Sequence, residues 1–395
     1  LIKSLLVVVV MALISRLMGF ARDVVIANLL GVNAATDAFF VAFRIPNFLR
    51  RLFAEGAFAN AFVPTLTKLD DQAEADSLQD FIDRSAGSLS LVLLLITLMG
   101  VLLAPVLILL FAPGFIWQGG QYALSIQFLQ ITLPYLLFIT LTALAGILQF
   151  VLQFPALMDA GLMPRPRLGF SDPEVRRMLQ SMPSAIFGVS VVQINLLVDT
   201  VFASFLPTGS ISWLYYSDRL VEFPLGMLGG TLAAVILPRL ANHHLLDDQA
   251  GFSRSLDWGL KWVVLLGLPA SIGLSLLSEA ILASLFQHQA FTASDTLMAS
   301  RSLTAFVMIK ILVPGFTARH DTQTPLRLGY YSMLANLIFN FVLLTPLAHA
   351  GPALATSLAA YLNAAGLLVV MMKRGIYQPQ SAWFVFLLKI LFANW

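Results

Sequence analysis

The sequence predicts an all-α protein that crosses a membrane many times. Of its 395 residues, 58% are hydrophobic and 11% are charged, whereas a soluble domain carries about 25% charged residues. Apolar runs of about 20 residues, each long enough to cross about 30 Å of hydrocarbon, recur along the whole chain. These runs lack the alternating pattern of a membrane β-barrel, so helices are expected to form every span.

Ten complete spans are predicted, and an eleventh begins near residue 382. Each is an apolar stretch bounded by polar or turn-forming residues. The ten spans are 4–30, 36–55, 85–111, 122–150, 183–206, 213–237, 257–286, 296–315, 326–346 and 351–372.

The loops between the spans predict the orientation. Five loops and the N-terminus carry Lys and Arg: 56–84, 156–182, 238–256, 316–325 and 373–381. The loops on the other side carry neither: 31–35, 112–121, 207–212, 287–295 and 347–350. The positive-inside rule therefore places the N-terminus and the first set of loops in the cytoplasm.

An internal repeat predicts two related bundles. Residues 53–66 align without gaps on 227–240, and residues 21–30 align on 197–206. Both copies enter from the predicted cytoplasmic side, so the repeats are parallel and pseudo-symmetric about an axis along the membrane normal. Transporters of this plan bind substrate in a central cavity between their halves.

The repeat divides the chain into four parts. These are an N-terminal bundle (1–157), a cytoplasmic linker (158–182), a C-terminal bundle (183–377) and the start of a C-terminal helical hairpin (378–395).

Arginines within the apolar segments are the main functional signal. Arg16 and Arg22 lie in the first span, Arg50 lies near the cytoplasmic end of the second, and Arg219 lies in the matching span of the second bundle. A charge near the bilayer centre costs at least about 2.5–3.5 kcal/mol, so such residues normally face a polar cavity. Arginine forms bidentate bonds to phosphate, so a diphosphate is one expected ligand.

The alternative for these arginines is internal ion pairing. Arg22 has Asp23 and Asp37 as candidate partners, and Arg219 has Glu222. Paired arginines would have a structural role and no ligand.

Oxygen-bearing side chains also lie within the later spans. Asp199 is deep in the fifth span, Asn336 and Asn340 are an i, i+4 pair in the ninth, and Thr356 is in the tenth. A carboxylate with amide and hydroxyl oxygens suits sodium or a proton-linked site. Polar contacts between helices are the alternative.

Several classes of chemistry have no signal in the sequence. Cysteine is absent, and the five histidines do not cluster as metal ligands. No nucleotide-binding or hydrolase motif occurs, so we expect neither an enzyme nor a nucleotide or nucleic-acid partner. An ion gradient or the membrane potential is the expected driving force.

Five motifs resemble a known family over nearly the whole chain: SRLMGFARD, ATDAFFVAFRIPNFLRRLFAEGAFANAFVP, FAPGF, YYSDRLVEFP and VPGF. They are similar to the lipid II flippases of the MurJ (MviN) type, in the superfamily of multidrug, oligosaccharidyl-lipid and polysaccharide exporters. The resemblance implies transfer of lipid II, the undecaprenyl-diphosphate-linked peptidoglycan precursor, between the leaflets of the bacterial inner membrane by alternating access. It implies membrane lipids and cell-wall synthesis proteins as further partners.

The resemblance also implies roles for particular residues. Arginines at four family positions would hold the diphosphate and sugar head: Arg16, Arg22, Arg50 and Arg219. Five other family positions considered functional correspond to Asp37, Asn47, Glu55, Asp218 and Glu222. Some members bind sodium at positions that correspond to Asp199, Asn336, Asn340 and Thr356, so sodium is the only cofactor expected.

The chain departs from the family pattern in three places. The family has fourteen spans, but here residues 145–150 run directly into 151–157, where the family has a further span and most of another. The eighth span is short near 306/307, and the last two family helices are cut at Trp395. We therefore expect that Phe150 and Val151 are not neighbours in the full-length protein.

Two other functions remain open from the sequence. One is export of drugs or oligosaccharide-lipids by a member of the same superfamily. The other is a non-transporting scaffold for cell-wall assembly, which predicts internally paired arginines and no open cavity.

Overall fold

Every regular element that the structure describes is helical. The computed structural model describes residues 2–51, 75–134, 167–222, 248–310, 323–375 and 377–379, together with residues 236, 240, 243, 383 and 386. The all-α prediction is confirmed over these ranges, while the junction at 150/151 lies outside them.

Twelve α-helices follow one another in the described ranges, numbered here in chain order. They are α1 (Ile2–Leu30), α2 (Ala34–Arg50), α3 (Ala75–Leu102), α4 (Ala104–Phe111), α5 (Gln121–Thr132), α6 (Pro173–Ala203), α7 (210–222), α8 (Gln249–Leu276), α9 (Ser278–Phe286), α10 (Ala293–Lys310), α11 (Gln323–Leu347) and α12 (Ala350–Lys373). A 3₁₀ helix, Pro113–Trp117, connects α4 to α5.

Four of these helices contain segments long and apolar enough to cross a membrane. They are Asp80–Leu102, Gln249–Leu276, Arg327–Leu347 and Ala350–Lys373. Each overlaps a predicted span, and the last two agree with 326–346 and 351–372 to within one residue. All four lie among the described residues, and the other spans stay predictions.

Two predicted spans, 85–111 and 257–286, each contain two helices in the structure. Leu103 (φ −91°, ψ 11°) separates α3 from α4, and Leu277 (φ −99°, ψ 11°) separates α8 from α9. Both residues lie near the bridge region of backbone conformation, which is sparsely populated outside turns. Apolar length does not indicate these breaks, because a one-residue break leaves the hydrophobicity of the run unchanged.

The helix boundaries extend the repeat that the sequence indicated. Helices α3 and α8 end at Leu102 and Leu276, which are as far apart in sequence as residues 53 and 227. The breaks at Leu103 and Leu277 have the same separation. The two copies therefore share their break position as well as local sequence.

Helix α6 begins ten residues before the predicted span 183–206. Asp172 precedes its first residue and accepts a hydrogen bond from the backbone N–H of Val175 at 3.1 Å. Val175, Met178 and Met182 are buried along one face of this extension. Aspartate N-caps and an amphipathic face both favour helix, so part of the predicted cytoplasmic loop is helical.

Contacts between Cα atoms divide the chain into two compact units. The first contains residues 1–37 and 198–395, and the second contains residues 38–197. The domain boundaries expected from the sequence and their arrangement around a central cavity stay predictions.

In the first unit, a buried carboxylate ties the chain after α12 to α8. Asp257 Oδ1 accepts hydrogen bonds from Tyr377 Oη at 2.9 Å and Trp383 Nε1 at 2.5 Å, and Lys261 Nζ lies 2.7 Å from Oδ2. Phe252 and Leu256 belong to the apolar cluster around these groups. Burial is the main cause of a raised pKa for the Tyr377 phenol, and the hydrogen bond to Asp257 raises this pKa further.

Replacing Tyr377 with phenylalanine is expected to lower the free energy of unfolding by about 1–2 kcal/mol, because a buried carboxylate loses one donor. The measurement is thermal unfolding in detergent. Tyr331→Phe is the matched control, because Tyr331 is 69% exposed. Equal unfolding temperatures for the two variants would contradict a stabilising role for this bond.

Candidate functional site

A buried aspartate on α1 lies at the centre of a charged cluster. Asp23 has a fully buried side chain. Its Oδ1 accepts hydrogen bonds from Arg22 Nε at 3.0 Å, Arg22 Nη2 at 2.7 Å and Tyr215 Oη at 3.2 Å. Arg219 Nε lies 2.8 Å from the other oxygen, Oδ2. One carboxylate thus holds two of the four predicted arginines.

Arg219 on α7 connects this carboxylate to further groups. Its Nε–H donates to Tyr215 Oη at 3.3 Å, and its Nη1 donates to Glu222 Oε2 at 2.9 Å. Its guanidinium carbon also lies 5.4 Å from the centre of the Tyr215 ring, within range of a cation–π contact. Residues 215, 219 and 222 are neighbours on one helix face because they are three or four positions apart.

The two guanidinium groups are both paired and accessible. The Arg22 side chain is 45% exposed and the Arg219 side chain is 31% exposed, whereas Asp23 is inaccessible. The internal pairing expected as an alternative is therefore present. Pairing through a buried carboxylate fixes the guanidinium positions, while part of each arginine side chain stays exposed.

An aromatic cluster adjoins the charged one. The ring of Tyr216 lies 5.8 Å from that of Tyr215, 5.2 Å from Phe286 and 5.6 Å from Phe291. Phe20, one turn before Asp23 on α1, meets Phe286 edge to face at 5.9 Å. These contacts pack α1, α7 and the end of α9 together beside the arginines.

Asp37 is buried and accepts hydrogen bonds from residues at the N-terminal end of α7. Its carboxylate accepts hydrogen bonds from the backbone N–H groups of Gly209 at 2.6 Å and Ser212 at 2.9 Å, and from Ser212 Oγ at 2.5 Å. Helix N-termini leave backbone N–H groups unsatisfied, and a carboxylate stabilises them. The structure thus shows Asp37 anchoring a helix, while the predicted substrate contact stays a prediction.

For the other predicted substrate residues, the role in substrate binding stays a prediction. Arg50 ends α2, and Asn47 on the same helix donates from Nδ2 to the carbonyl oxygen of Phe43 at 3.0 Å; both belong to the second unit. Asp218 is partly buried on α7. Glu55 and the Arg16 side chain lie outside the described residues.

The four predicted cation ligands do converge, in the first unit. Asp199 Oδ1 accepts from Asn336 Nδ2 at 3.2 Å and from Asn340 Nδ2 at 2.9 Å, and Thr356 Oγ1 donates to Oδ2. All four residues are buried, with at most 8% exposure. Helices α6, α11 and α12 therefore meet at one carboxylate.

The donor set fits a hard cation after a small rearrangement. Asn340 Oδ1 is buried and has no hydrogen-bond partner in the described part of the chain. The amide nitrogens now point to the carboxylate, so a cation would require Asn336 and Asn340 to rotate and present oxygen. The resulting ligands would be carboxylate, amide and hydroxyl oxygens, which sodium accepts.

The sequence did not indicate the role of Tyr215. Its hydroxyl donates to Asp23 and accepts from Arg219, so it joins the two charges. Its position four residues before Arg219 was a usable signal, because i and i+4 side chains meet on a helix. The role of Asp23 as a shared carboxylate depended on the contact between α1 and α7, which sequence spacing does not reveal.

Comparison with protein families identifies one match. The model described as "Lipid II flippase MurJ" matches residues 26–146 and 142–394. The two matched stretches meet close to the junction at 150/151, where the sequence suggested a missing segment.

Individual relatives agree with this match. A probable lipid II flippase MurJ from Vibrio cholerae is 41% identical over 450 residues, covering 98% of this chain and 86% of the relative. A probable lipid II flippase MurJ from Haemophilus influenzae is 38% identical, covering 97% and 88%. A lipid II flippase MurJ from Burkholderia cenocepacia is 33% identical, covering 99% and 87%. The first alignment is longer than this chain's 395 residues, so that relative contains positions with no counterpart here.

A solved structure has the same fold. It is a lipid II flippase MurJ in an inward closed conformation, with a TM-score of 0.80 and 25% sequence identity. The similarity covers 98% of this chain and 90% of that one.

Proposed function

Because this chain belongs to the MurJ family of lipid II flippases, we propose that it moves lipid II from the cytoplasmic to the periplasmic leaflet. The observation that carries this proposal, beside the family match, is the pair of partly exposed arginines held by Asp23. A flippase needs a polar site for the head group of its lipid, and this cluster is a polar site on α1 and α7, which lie in predicted spans.

The head group would bind next to Asp23 and share its two arginines with it. Each guanidinium has several N–H donors, so Arg22 and Arg219 can contact Asp23 and a diphosphate together. The positive charges are positioned before the ligand arrives, which lowers the entropic cost of binding. The polyprenyl tail would stay in the lipid during transfer.

Alternating access would require specific contacts to break. Contacts that join the first 37 residues to the second half of the chain include Asp23 with Arg219, Asp37 with Ser212, and Asn28 with Ala290. The N–H of Ala290 donates to the Asn28 carbonyl oxygen at 3.1 Å. If the predicted bundles rock against each other, these contacts separate. Ligand binding to Arg219 would weaken its attraction to Asp23 and so favour separation.

Sodium at the Asp199 cluster is the proposed coupling ion. We expect sodium, compared with potassium at equal concentration, to raise the unfolding temperature of the protein. The stabilisation would be about 1.4 kcal/mol at a sodium concentration ten times Kd. Asp199→Asn and Thr356→Val should each remove the rise in unfolding temperature that sodium causes. Asp295→Asn changes a buried aspartate outside the cluster, so this variant should retain the rise. Identical wild-type unfolding temperatures in the two salts would refute sodium binding and leave the cluster as a contact between helices.

The same proposal places the protein in the bacterial inner membrane with a cytoplasmic N-terminus. The distribution of Lys and Arg among the loops supports this orientation. Membrane lipids are then direct neighbours, and proteins that make or use lipid II are proposed partners.

The other two functions have less support. The relatives are named as lipid II flippases, which disfavours a drug or oligosaccharide-lipid exporter. The scaffold hypothesis predicts internally paired arginines, and Arg22 and Arg219 are paired with Asp23. It gives no reason for the side chains of both arginines to remain partly exposed.

The direct test is an assay of lipid II on the outer surface of cells depleted of the protein. We expect lipid II to accumulate in the inner leaflet and to reappear outside when the wild-type gene is restored. Unchanged outer-leaflet lipid II after depletion, in cells without another flippase, would refute the function.

A further inference from the structure

A turn in the second unit, residues 167–172, is clamped onto the beginning of α3. The backbone N–H of Arg167 donates to the Asp83 carbonyl oxygen at 2.9 Å, and the N–H of Gly169 donates to Ser88 Oγ at 3.1 Å. Arg84 Nη1 lies 3.3 Å from Asp172 Oδ2. Three successive attachments therefore fix this turn at its start, middle and end.

Two glycines allow this close approach. A side chain at Gly87 on α3 would overlap the backbone of Arg167, and one at Gly169 would overlap the side chain of Arg84. The backbone of the turn therefore lies directly against α3. Side chains on either side of Gly169 are directed away from α3.

The outward side chains combine apolar and basic groups. Gly169 is buried, but Leu168 is 66% exposed and Phe170 is 43% exposed. Arg167 precedes them, and Arg176 and Arg177 follow on the exposed face of α6. We call these five residues the basic-apolar turn.

We propose that the basic-apolar turn is a docking surface for the anionic phospholipids of the membrane leaflet that it faces. Leu168 and Phe170 would enter the boundary between head groups and acyl chains, and the three arginines would contact lipid phosphates. Segments that anchor at a membrane surface combine apolar insertion with basic residues in this way. The proposal does not depend on the transported substrate.

Charge selects an anionic lipid surface over a neutral one. Each basic residue close to an anionic membrane strengthens the attraction about fivefold. The turn also lies in the predicted cytoplasmic loop 156–182, and the cytoplasmic leaflet carries anionic lipids. Because the clamp fixes the turn before lipid arrives, docking requires little further ordering.

The test uses a spin label at a single cysteine, which Leu168→Cys introduces into a chain that has none. The labelled full chain is reconstituted in vesicles of phosphatidylcholine alone or of phosphatidylcholine and phosphatidylglycerol in equal parts. Accessibility of the label to oxygen and to a water-soluble nickel complex reports its depth. We expect a label shielded from nickel at the head-group boundary in the mixed vesicles and at least threefold more accessible to nickel in the neutral ones.

Replacing Arg167, Arg176 and Arg177 with glutamine should abolish the difference between the two vesicles. The matched control replaces Arg254, Arg327 and Lys373, which are also exposed, and should retain it. High salt should reduce the difference, because it screens charges at a surface. A label equally accessible to nickel in both vesicles would overturn the proposal, and so would a difference that persists after the three arginines are replaced.

Discussion

Replacing Arg219 with alanine is expected to reduce lipid II flipping at least about 100-fold, corresponding to about 2.7 kcal/mol of lost transition-state stabilisation. The substitution removes a guanidinium that contacts Asp23, Tyr215 and Glu222 together. It also leaves Asp23 with only one of its two arginines. The measurement is flipping of labelled lipid II in proteoliposomes containing the purified variant.

The effect on folding should be smaller than the effect on transport. Removing one partner of a fully buried ion pair costs about 3–5 kcal/mol. Arg219 is 31% exposed, so water screens the pair and we expect a loss of about 1–2 kcal/mol. Arg219→Lys should recover folding more than flipping, because lysine keeps the charge but lacks the planar fork.

The control is Arg254→Ala, which removes an exposed arginine from the same unit. A folded Arg219→Ala protein with wild-type flipping would exclude Arg219 from the substrate site. Combining Arg219→Ala with Asp23→Asn adds a second check. If Asp23 acts by holding the arginine, the effects of the two changes on flipping will not add.

Replacing Asp37 with alanine is expected to lower the free energy of unfolding by about 3 kcal/mol, because three donors lose a charged acceptor in a buried site. Asp37→Asn should cost less, since one amide oxygen can still accept. Flipping should fall in proportion to the loss of folded protein. Unfolding in detergent and flipping in proteoliposomes measure the two effects.

The control for Asp37 is Glu279→Ala, which removes an exposed carboxylate from α9. A different result would change the interpretation of Asp37. If Asp37→Ala unfolds like the wild type but does not flip lipid II, the side chain contacts substrate or a mobile element and does not anchor α7.

Sequence patterns predicted the helical class, because helical periodicity and apolar length are local to each helix. The convergence at Asp199 was implied only by the family resemblance, because residue spacing within one helix gives no contact between helices. The apolar runs determined the class, and the spacing of Asn336 and Asn340 placed two amides on one face. The breaks at Leu103 and Leu277 were missed because hydrophobicity does not report backbone conformation. The sharing of Asp23 by two arginines was missed because it depends on how α1 packs against α7.

The one-residue breaks also bear on the role of Pro105. Pro105 lies in the first turn of α4, but the corresponding region of α9 starts with Ser278 and Glu279 and has no proline. Proline is well tolerated in the first turn of a helix. Since the chain breaks at both equivalent residues and only one break is followed by proline, proline is not required for the break. Pro105 therefore occupies the start of a helix that can form there without it.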